Sequence, residues 1–167
     1  KGEAVIEAQL DAGFESGSGF REAFAKTFGE APNRARAAKA LAMDWIDTPL
    51  GPMLAIADET HLHMLEFVER KKLQEHVERY RRQFNATVLP GETKALKLIR
   101  KEVAGYFAGK SLTFTSRIAG AGTEFQNQVW DELRRVPPGA TRSYQEMATR
   151  IGRPTAVRAV ANANRLN

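Results

Sequence analysis

The segment from residue 134 to residue 167 concentrates the surplus positive charge of this chain. All of its seven basic residues are arginines, and its one carboxylate belongs to Glu146. The arginines are Arg134, Arg135, Arg142, Arg150, Arg153, Arg158 and Arg165. A planar guanidinium binds a phosphate through two parallel hydrogen bonds and also stacks on rings, which an ammonium cannot do. The pattern therefore predicts a surface for a polyanion, and a solvated helical face is the alternative.

Residues 155–167 have the spacing of an amphipathic helix. Arg158, Asn162 and Arg165 recur at i, i+4 and i+7, so they share one polar face. The opposite face carries Val157, Val160 and Ala161. The intervening residues are small, so the backbone can approach a nucleic-acid groove as a recognition helix does. An ordinary amphipathic helix without a nucleic-acid partner is the alternative.

Other polar groups are weaker candidates for chemistry. His61 and His63 alternate on a predicted strand and could face one metal ion, but no third or fourth ligand lies nearby in the sequence. Four acids lie near strand ends: Asp44, Asp47, Asp58 and Glu59. They do not form the carboxylate cluster that a two-metal nuclease requires. We therefore predict no metal site and no cofactor.

Composition bounds the class of protein. The chain has 167 residues, 43% of them hydrophobic and 27% charged, with a net charge of +5. These values are typical of a chain that buries a core. It contains no cysteine, which excludes a disulfide framework and a thiol nucleophile within these residues. No apolar run is long enough to cross a bilayer and residues 1–4 do not resemble a signal peptide, so we expect no membrane partner and a cytoplasmic location.

The hydrophobic pattern divides the chain into three segments. Residues 1–42 have a helix-turn-helix pattern followed by a basic helix or linker, and we place a boundary near residue 43. Residues 43–119 alternate between strands and helices, as a small α+β domain does. The predicted strands are 45–48, 53–57, 61–67 and 112–115, and the predicted helices are 71–84 and 95–107. We interpret Gly120 and Gly122 as a hinge.

Residues 120–167 have an all-helical pattern with clear boundaries. The first predicted helix ends at the Pro-Pro-Gly turn of residues 137–139. Ser143 and Glu146 have the spacing of a capping box, with Ser143 as the N-cap of the next helix. Gly152 and Pro154 end that helix, and residues 155–167 form the last one.

The helical segment resembles the DNA-binding half of methylated-DNA–protein-cysteine methyltransferases. Five pieces carry the resemblance: residues 125–130 (FQNQVW), the Pro-Gly turn at 138–139, 143–148 (SYQEMA), 151–154 (IGRP) and 156–160 (AVRAV). Residues 45–118 are similar to the ribonuclease-H-like domain that precedes it in that family. Residues 1–34 resemble the tail of an AraC-type helix-turn-helix. Together they resemble the Ada-type arrangement of the adaptive response, in which a transcription regulator precedes the alkyltransferase.

The resemblance implies an α+β fold in which a ribonuclease-H-like domain at 43–119 precedes an all-helical, winged-helix-like DNA-binding domain at 120–167. A partial helix-turn-helix at 1–42 would come before both. The family binds the minor groove, flips O6-alkylguanine out of the stack and accepts the alkyl group on a cysteine thiolate.

The resemblance also implies roles for five residues. Arg158 occupies the position of the finger that fills the vacated space, and Tyr144 that of the tyrosine that crowds the target's 3′ phosphate. Gln145 and Arg153 hold neighbouring DNA-contact positions. Asn167 aligns with the hinge asparagine that supports the active site.

The sequence departs from the family at its methyl acceptor. The Pro-Cys-His-Arg motif is expected a short loop after Asn167, so we expect these 167 residues to be inactive in the single-turnover transfer. They are expected to bind DNA weakly through Arg142, Arg153 and Arg158, less so as salt rises. The expected partners are duplex DNA with O6-alkylguanine and promoter DNA, bound by a monomer. The alternative is a non-catalytic sensor or regulator without the acceptor cysteine, and a ribonuclease-H-type nuclease is disfavoured.

Overall fold

A computed structural model describes residues 39–71, 73–120 and 122–166. Contacts divide the chain into two compact units, Lys1–Ala119 and Gly120–Asn167. The predicted helix-turn-helix of the first 38 residues lies outside the described residues. No helix in the described ranges combines the length and the apolar character that crossing a membrane requires.

The first unit is built on a four-stranded sheet with the order β3-β2-β1-β4. The strands are β1 (Lys39–Ile46), β2 (Met53–Ala57), β3 (Leu62–Phe67) and β4 (Ala86–Pro90). β2 pairs antiparallel with both β1 and β3, whereas β4 pairs parallel with β1. The turn between β1 and β2 is closed by the Thr48 hydroxyl, which donates to the Gly51 carbonyl at 2.6 Å. Gly51 takes the left-handed φ of 118° that this turn requires.

Two helices accompany the sheet, α1 (Leu73–Phe84) and α2 (Lys94–Phe107). α2 begins where the Thr93 side chain accepts a hydrogen bond from the Leu96 amide at 3.1 Å. Its apolar face shares one core with the sheet, formed by Ile46, Ala55, Ala57, Leu62, Ala95, Leu96, Ile99 and Val103. Leu54 and Ile56 alternate with that set along β2 and are also fully buried. Both faces of this strand are therefore covered.

A chain of polar side chains joins β1, β3 and α1. The Asp58 carboxylate lies 2.7 Å from Lys39 Nζ and 2.9 Å from His63 Nε2. His63, whose side chain is only 4% exposed, also contacts the Tyr80 hydroxyl through Nδ1 at 2.5 Å. The amides of Thr60 and His61 donate to the other oxygen of Asp58, each at 2.8 Å. His61 and His63 therefore lie beside one carboxylate, with only His63 in the interior.

Burial and hydrogen bonding shift the pKa values of Asp58, His63 and Tyr80. Burial acts to raise the pKa of Asp58, but the hydrogen bonds from Lys39 and His63 outweigh it and hold that pKa well below its ordinary value. Burial lowers the pKa of His63, and it raises the pKa of Tyr80 to about 12. Asp58 is therefore charged and His63 neutral at physiological pH.

Three sequence predictions in this unit were wrong. Residues 112–115 are not a strand, because the Glu102 carboxylate accepts hydrogen bonds from the amide and hydroxyl groups of Thr115 and Ser116 and holds this stretch as a loop. Pairing with β3 occurs instead at an isolated bridge between Leu62 and Ile118. The predicted basic helix or linker ends earlier than expected, because β1 begins at Lys39. The boundary placed near residue 43 therefore falls inside β1, and the strand predicted at 45–48 overlaps β1 only at residues 45 and 46.

The sequence pattern does not predict β4. Its short apolar run is preceded by Asn85, which has a φ of 45° and so turns the chain after α1. A five-residue strand beside a long amphipathic helix gives little periodic signal of its own. The predicted helices at 71–84 and 95–107 and the strands at 53–57 and 61–67 are confirmed to within two residues.

The second unit is helical, as predicted, with α3 (Glu124–Arg134), α4 (Tyr144–Arg150) and α5 (Val157–Arg165). Capping boxes begin α3 at Thr123 and α4 at Ser143, so the second of these confirms the expected box. Gly139 and Gly152 have φ values of 81° and 73°, which end the turn before α4 and the helix itself. The three helices share a core of Val129, Met147, Ala148, Val160 and Ala163.

Replacing Asp58 tests the polar chain. We expect Asp58→Asn to lower the free energy of unfolding by about 1–3 kcal/mol near neutral pH, because Lys39 and the amide donors lose a charged acceptor. The folded-state pKa of Asp58 is depressed, so its contribution is present above the ordinary value of 3.8 and is lost as pH falls below it. Urea unfolding measured from neutral pH to below pH 3.8 should show the free energies of unfolding of the original chain and of Asp58→Asn becoming equal. Glu59→Gln, which removes an exposed neighbouring charge, is the control and should change stability little; equal effects of the two substitutions would contradict the assignment.

Candidate nucleic-acid interface

Tyr144 is presented at the first residue of α4 by the capping box. The Ser143 hydroxyl oxygen accepts from the Glu146 amide at 3.1 Å, and the Glu146 carboxylate accepts from the Ser143 amide at 2.7 Å. The hydrogen bond from that backbone amide lowers the pKa of Glu146. The backbone at Tyr144 is therefore fixed, while the residue is 42% exposed.

Arg158 lies in the first turn of α5 and is exposed. Val160 and Ala163, on the inner face of the same helix, are buried in the core of the unit. Across the described ranges, no hydrogen bond, ion pair or ring contact engages the Arg158 guanidinium. The amphipathic reading of this helix is thus confirmed, and its cation faces outward.

Gln145 and Arg153 are exposed but already have partners inside the unit. The Gln145 amide donates to the Pro154 carbonyl at 2.9 Å, which ties the start of α4 to the turn that follows it. The Arg153 guanidinium lies over the Phe125 ring, 5.4 Å from its centre, in a cation–π contact. Both side chains are held at the surface in defined orientations.

Glu132 is the buried acid of this unit and was not singled out from the sequence. It is only 2% exposed, and its carboxylate accepts hydrogen bonds from Arg142 Nη1 at 2.6 Å and from Arg135 Nη1 at 3.0 Å. Arg150 Nε donates to the same carboxylate. The hydrogen bond from Arg150, followed by that from Arg135, holds the pKa of Glu132 below its ordinary value against the effect of burial.

This network changes the interpretation of Arg142. From the sequence, the Arg142 guanidinium is expected to contact phosphate, whereas in the structure it pairs with Glu132 and its side chain is only 22% exposed. A signal was available, because Glu132 lies three residues after Val129 and next to Leu133, on the inner side of α3. An acid on the apolar stripe of an Arg-rich unit predicts internal ion pairs.

The end of α5 is anchored by two side chains from other helices. Trp130 Nε1 donates to the Ala163 carbonyl at 3.0 Å, and Asn164 Nδ2 donates to the Tyr144 hydroxyl oxygen at 3.0 Å. The carbonyls of a last helical turn lack the amide four residues on, and the Ala163 carbonyl accepts instead from the Leu166 amide at 3.2 Å and from this tryptophan. Asn167, the predicted hinge asparagine, lies outside the described residues.

Removing the Glu132 carboxylate should destabilise the second unit. We expect Glu132→Gln to lower the free energy of unfolding by about 2–3 kcal/mol, because three guanidinium groups lose one buried counter-charge while keeping partial contact with water. The contribution of Glu132 is present above its ordinary pKa of 4.5 and is lost as pH falls below it, since the folded-state pKa is depressed. Thermal unfolding of the original chain and of Glu132→Gln, near neutral pH and below pH 4.5, measures the loss of stability and its disappearance in acid.

Asp131→Asn is the matched control on the same helix. Asp131 pairs with Arg134 at 3.5 Å, but the two side chains are 62% and 56% exposed, so the expected loss is below about 0.5 kcal/mol. If Asp131→Asn lowered the free energy of unfolding as much as Glu132→Gln does, the effect would come from the loss of any negative charge on α3 and not from the buried network.

Comparisons with protein families match both units. The family described as "6-O-methylguanine DNA methyltransferase, DNA binding domain" matches residues 124–167. The family described as "6-O-methylguanine DNA methyltransferase, ribonuclease-like domain" matches residues 42–119. The expected α+β class, with a ribonuclease-like unit before a helical DNA-binding unit, is confirmed.

Relatives of known name match over most of their length. A methylated-DNA–protein-cysteine methyltransferase of Methanosarcina barkeri is 36% identical over 124 residues, covering 74% of this chain and 73% of the relative. The constitutive enzyme of the same name from Bacillus subtilis is 33% identical over 126 residues, covering 72% and 70%.

Solved structures agree with these relatives. The crystal structure of Mycobacterium tuberculosis O6-methylguanine methyltransferase aligns with a TM-score of 0.61 and 32% identity, covering 74% of this chain and 69% of that one. The protein called OGT from the same organism, in complex with DNA, aligns with a TM-score of 0.57 and 32% identity, covering 75% and 68%. The chain belongs to the family of methylated-DNA–protein-cysteine methyltransferases.

Proposed function

We propose that this chain recognises O6-alkylguanine in duplex DNA by entering the minor groove and extruding the damaged nucleotide. The alkyl carbon then leaves O6 of guanine and bonds to a cysteine sulfur, once per protein molecule. The 167 residues contain no cysteine, so in this proposal the acceptor thiol lies outside them. Recognition and extrusion are the part of the reaction assigned to the residues described here.

The state of Arg158 is the observation that carries this proposal. Six other arginines of the segment have partners within the described residues: Arg134, Arg135, Arg142, Arg150, Arg153 and Arg165. Arg158 is exposed and, within the same described residues, has none. Because such an arginine makes no intramolecular contact, no contact has to be broken when its side chain binds a ligand. Its planar cation has the shape to fill the gap left in a base stack and to offset part of the unstacking cost.

Tyr144 supports the proposal as a second exposed group in the same unit. Its aromatic side chain projects from a capped helix start, where a rigid ring can press against the sugar-phosphate backbone. We assign it the role of crowding the 3′ phosphate of the target nucleotide. Gln145 and Arg153 would contact the neighbouring backbone, and Arg142 would add to the positive field through the donors that Glu132 leaves free.

Further parts of the proposal rest on sequence patterns alone. They are an Ada-type arrangement with a partial AraC-type reader in residues 1–34, promoter DNA as a second partner, a monomeric state, a cytoplasmic location and support of the active site by Asn167. Sedimentation of the chain with and without a lesion duplex would test the monomer.

Binding measurements test the function. We expect the chain to bind a duplex containing O6-methylguanine more tightly than the undamaged duplex, and to bind both less tightly as salt rises, because phosphate contacts release counterions. Arg158→Ala should lower the ratio of the two affinities by about tenfold, since its stacking contact forms only after extrusion. Fluorescence anisotropy over a range of salt measures these quantities.

Arg134→Ala is the control, because it removes the same charge from an exposed site on α3. It should weaken binding to both duplexes alike and leave their ratio unchanged. Salt-independent binding, or a ratio that Arg158→Ala does not alter, would overturn the proposal. A longer protein that includes the residues encoded after 167 can also be tested. If it binds the O6-methylguanine duplex more tightly than the undamaged duplex, but its mass does not increase by one methyl group, the protein is a sensor.

A further inference from the structure

Gly120 and Gly122, the two glycines interpreted as a hinge, differ in their surroundings. Among the described residues, a Cβ atom at position 120 would meet nothing within 4 Å beyond its chain neighbours. A Cβ atom at position 122 would lie 2.7 Å from Cη2 of the Trp130 indole and 2.8 Å from the Cβ atom of Gln126. Carbon atoms pack favourably at about 3.5–4.0 Å, so any other residue at position 122 would displace these neighbours by about 1 Å.

The Trp130 indole contacts two parts of the helical unit through different edges. The six-membered ring faces the Gly122 backbone, and Nε1 donates to the Ala163 carbonyl on the last turn of α5 at 3.0 Å. The Asn127 side chain donates to the Gly122 carbonyl at 3.1 Å, which fixes the backbone beside the ring. One side chain of α3 therefore joins the backbone that precedes this helix to the end of α5.

The position of Arg158 depends on how α5 is held. Within the described residues, no side chain caps the start of this helix, whose inner face is buried through Val160 and Ala163. A helix of nine residues is a short hydrogen-bonded rod, so a displacement of its last turn also moves Arg158 in its first turn. Groups that bind a ligand must be held to within about 0.5 Å by the residues behind them. A tie at Ala163 can therefore set where the guanidinium lies.

We infer that Trp130 is a positioning residue for Arg158, because its indole ties the last turn of α5 to α3 and so fixes the helix that carries the cation. Gly122 leaves the space that the indole occupies. This inference rests on the proposed function, in which Arg158 fills the gap in the base stack. It assigns no contact with DNA to Trp130 or Gly122. Their effect on lesion recognition passes through Arg158 and therefore requires that side chain to be present.

A double-mutant cycle tests this dependence. The measured quantity is the ratio of the affinities for the O6-methylguanine duplex and the undamaged duplex, by anisotropy with the 167-residue chain well below its melting temperature. Trp130→Phe removes the Nε1 donor and should lower this ratio by about threefold. In a chain that already carries Arg158→Ala, it should lower the ratio no further, because the cation that α5 places is gone.

A purely structural role for Trp130 gives a different result. General loosening of the unit would act independently of Arg158, so the two losses in affinity ratio would multiply. Trp45→Phe is the matched control, because it removes the other indole of the chain, which lies on β1 in the first unit. It should leave the ratio unchanged. Thermal unfolding shows that each variant is folded at the temperature of the binding measurement.

The two glycines provide a second, spectroscopic test. Trp45→Phe leaves Trp130 as the one indole of the 167 residues, so tryptophan fluorescence then reports its surroundings alone. In that background, Gly122→Ala should shift the emission maximum to longer wavelength, because the displaced ring is more exposed to water. It should also lower the affinity ratio by about three- to tenfold. Gly120→Ala is the same substitution at a position with room for a side chain, and should change neither quantity.

The outcomes separate this inference from the proposed function. Losses that multiply when Trp130→Phe and Arg158→Ala are combined would overturn the inference while the proposed function stands. Equal effects of Gly122→Ala and Gly120→Ala on the emission and on the affinity ratio would do the same. A chain without any preference for the lesion duplex would overturn both.

Discussion

Three guanidinium groups converge on the buried carboxylate of Glu132, and the helical unit depends on this contact. A buried carboxylate is costly unless charged donors surround it, and Arg135, Arg142 and Arg150 supply them. Arg142 lies just before the N-cap of α4 and Arg150 is its last residue. One side chain on α3 therefore holds both ends of the helix that presents Tyr144.

This arrangement divides the arginines by role, although their side chains are identical. The three arginines around Glu132 use hydrogen-bond donors in contacts within the protein, and the Arg153 guanidinium lies over the Phe125 ring. Arg158 stays outside these contacts within the described residues. The composition gives the total positive charge, whereas the ion pairs and the ring contact within the protein decide which guanidinium groups remain without an internal partner among the described residues. The same segment therefore contains arginines that hold the helical unit together and one, Arg158, that makes no such contact within the described residues.

The first unit uses carboxylates in a comparable way. Asp58 accepts from two backbone amides as well as from Lys39 and His63, and Glu102 accepts from the amides and hydroxyls of Thr115 and Ser116. Each acid satisfies backbone donors that would otherwise pair in a sheet or meet water. This explains why the alternating residues 112–115 form a loop, since a distant acid on α2 takes the donors that a strand would offer.

The sequence by itself determined the local structure of the helical unit and the family of the chain. The capping residues, the turn glycines and the apolar stripe of α5 act within a few positions of one another, so their pattern is visible in a short window. It did not determine β4 or the loop at 112–115, where partners distant in sequence decide the outcome. Only the tertiary structure decided the state of Arg142 and Arg150, because Glu132 lies ten positions from the first and eighteen from the second. Hydrogen bonds over such separations depend on how helices pack, and helical periodicity does not encode that packing.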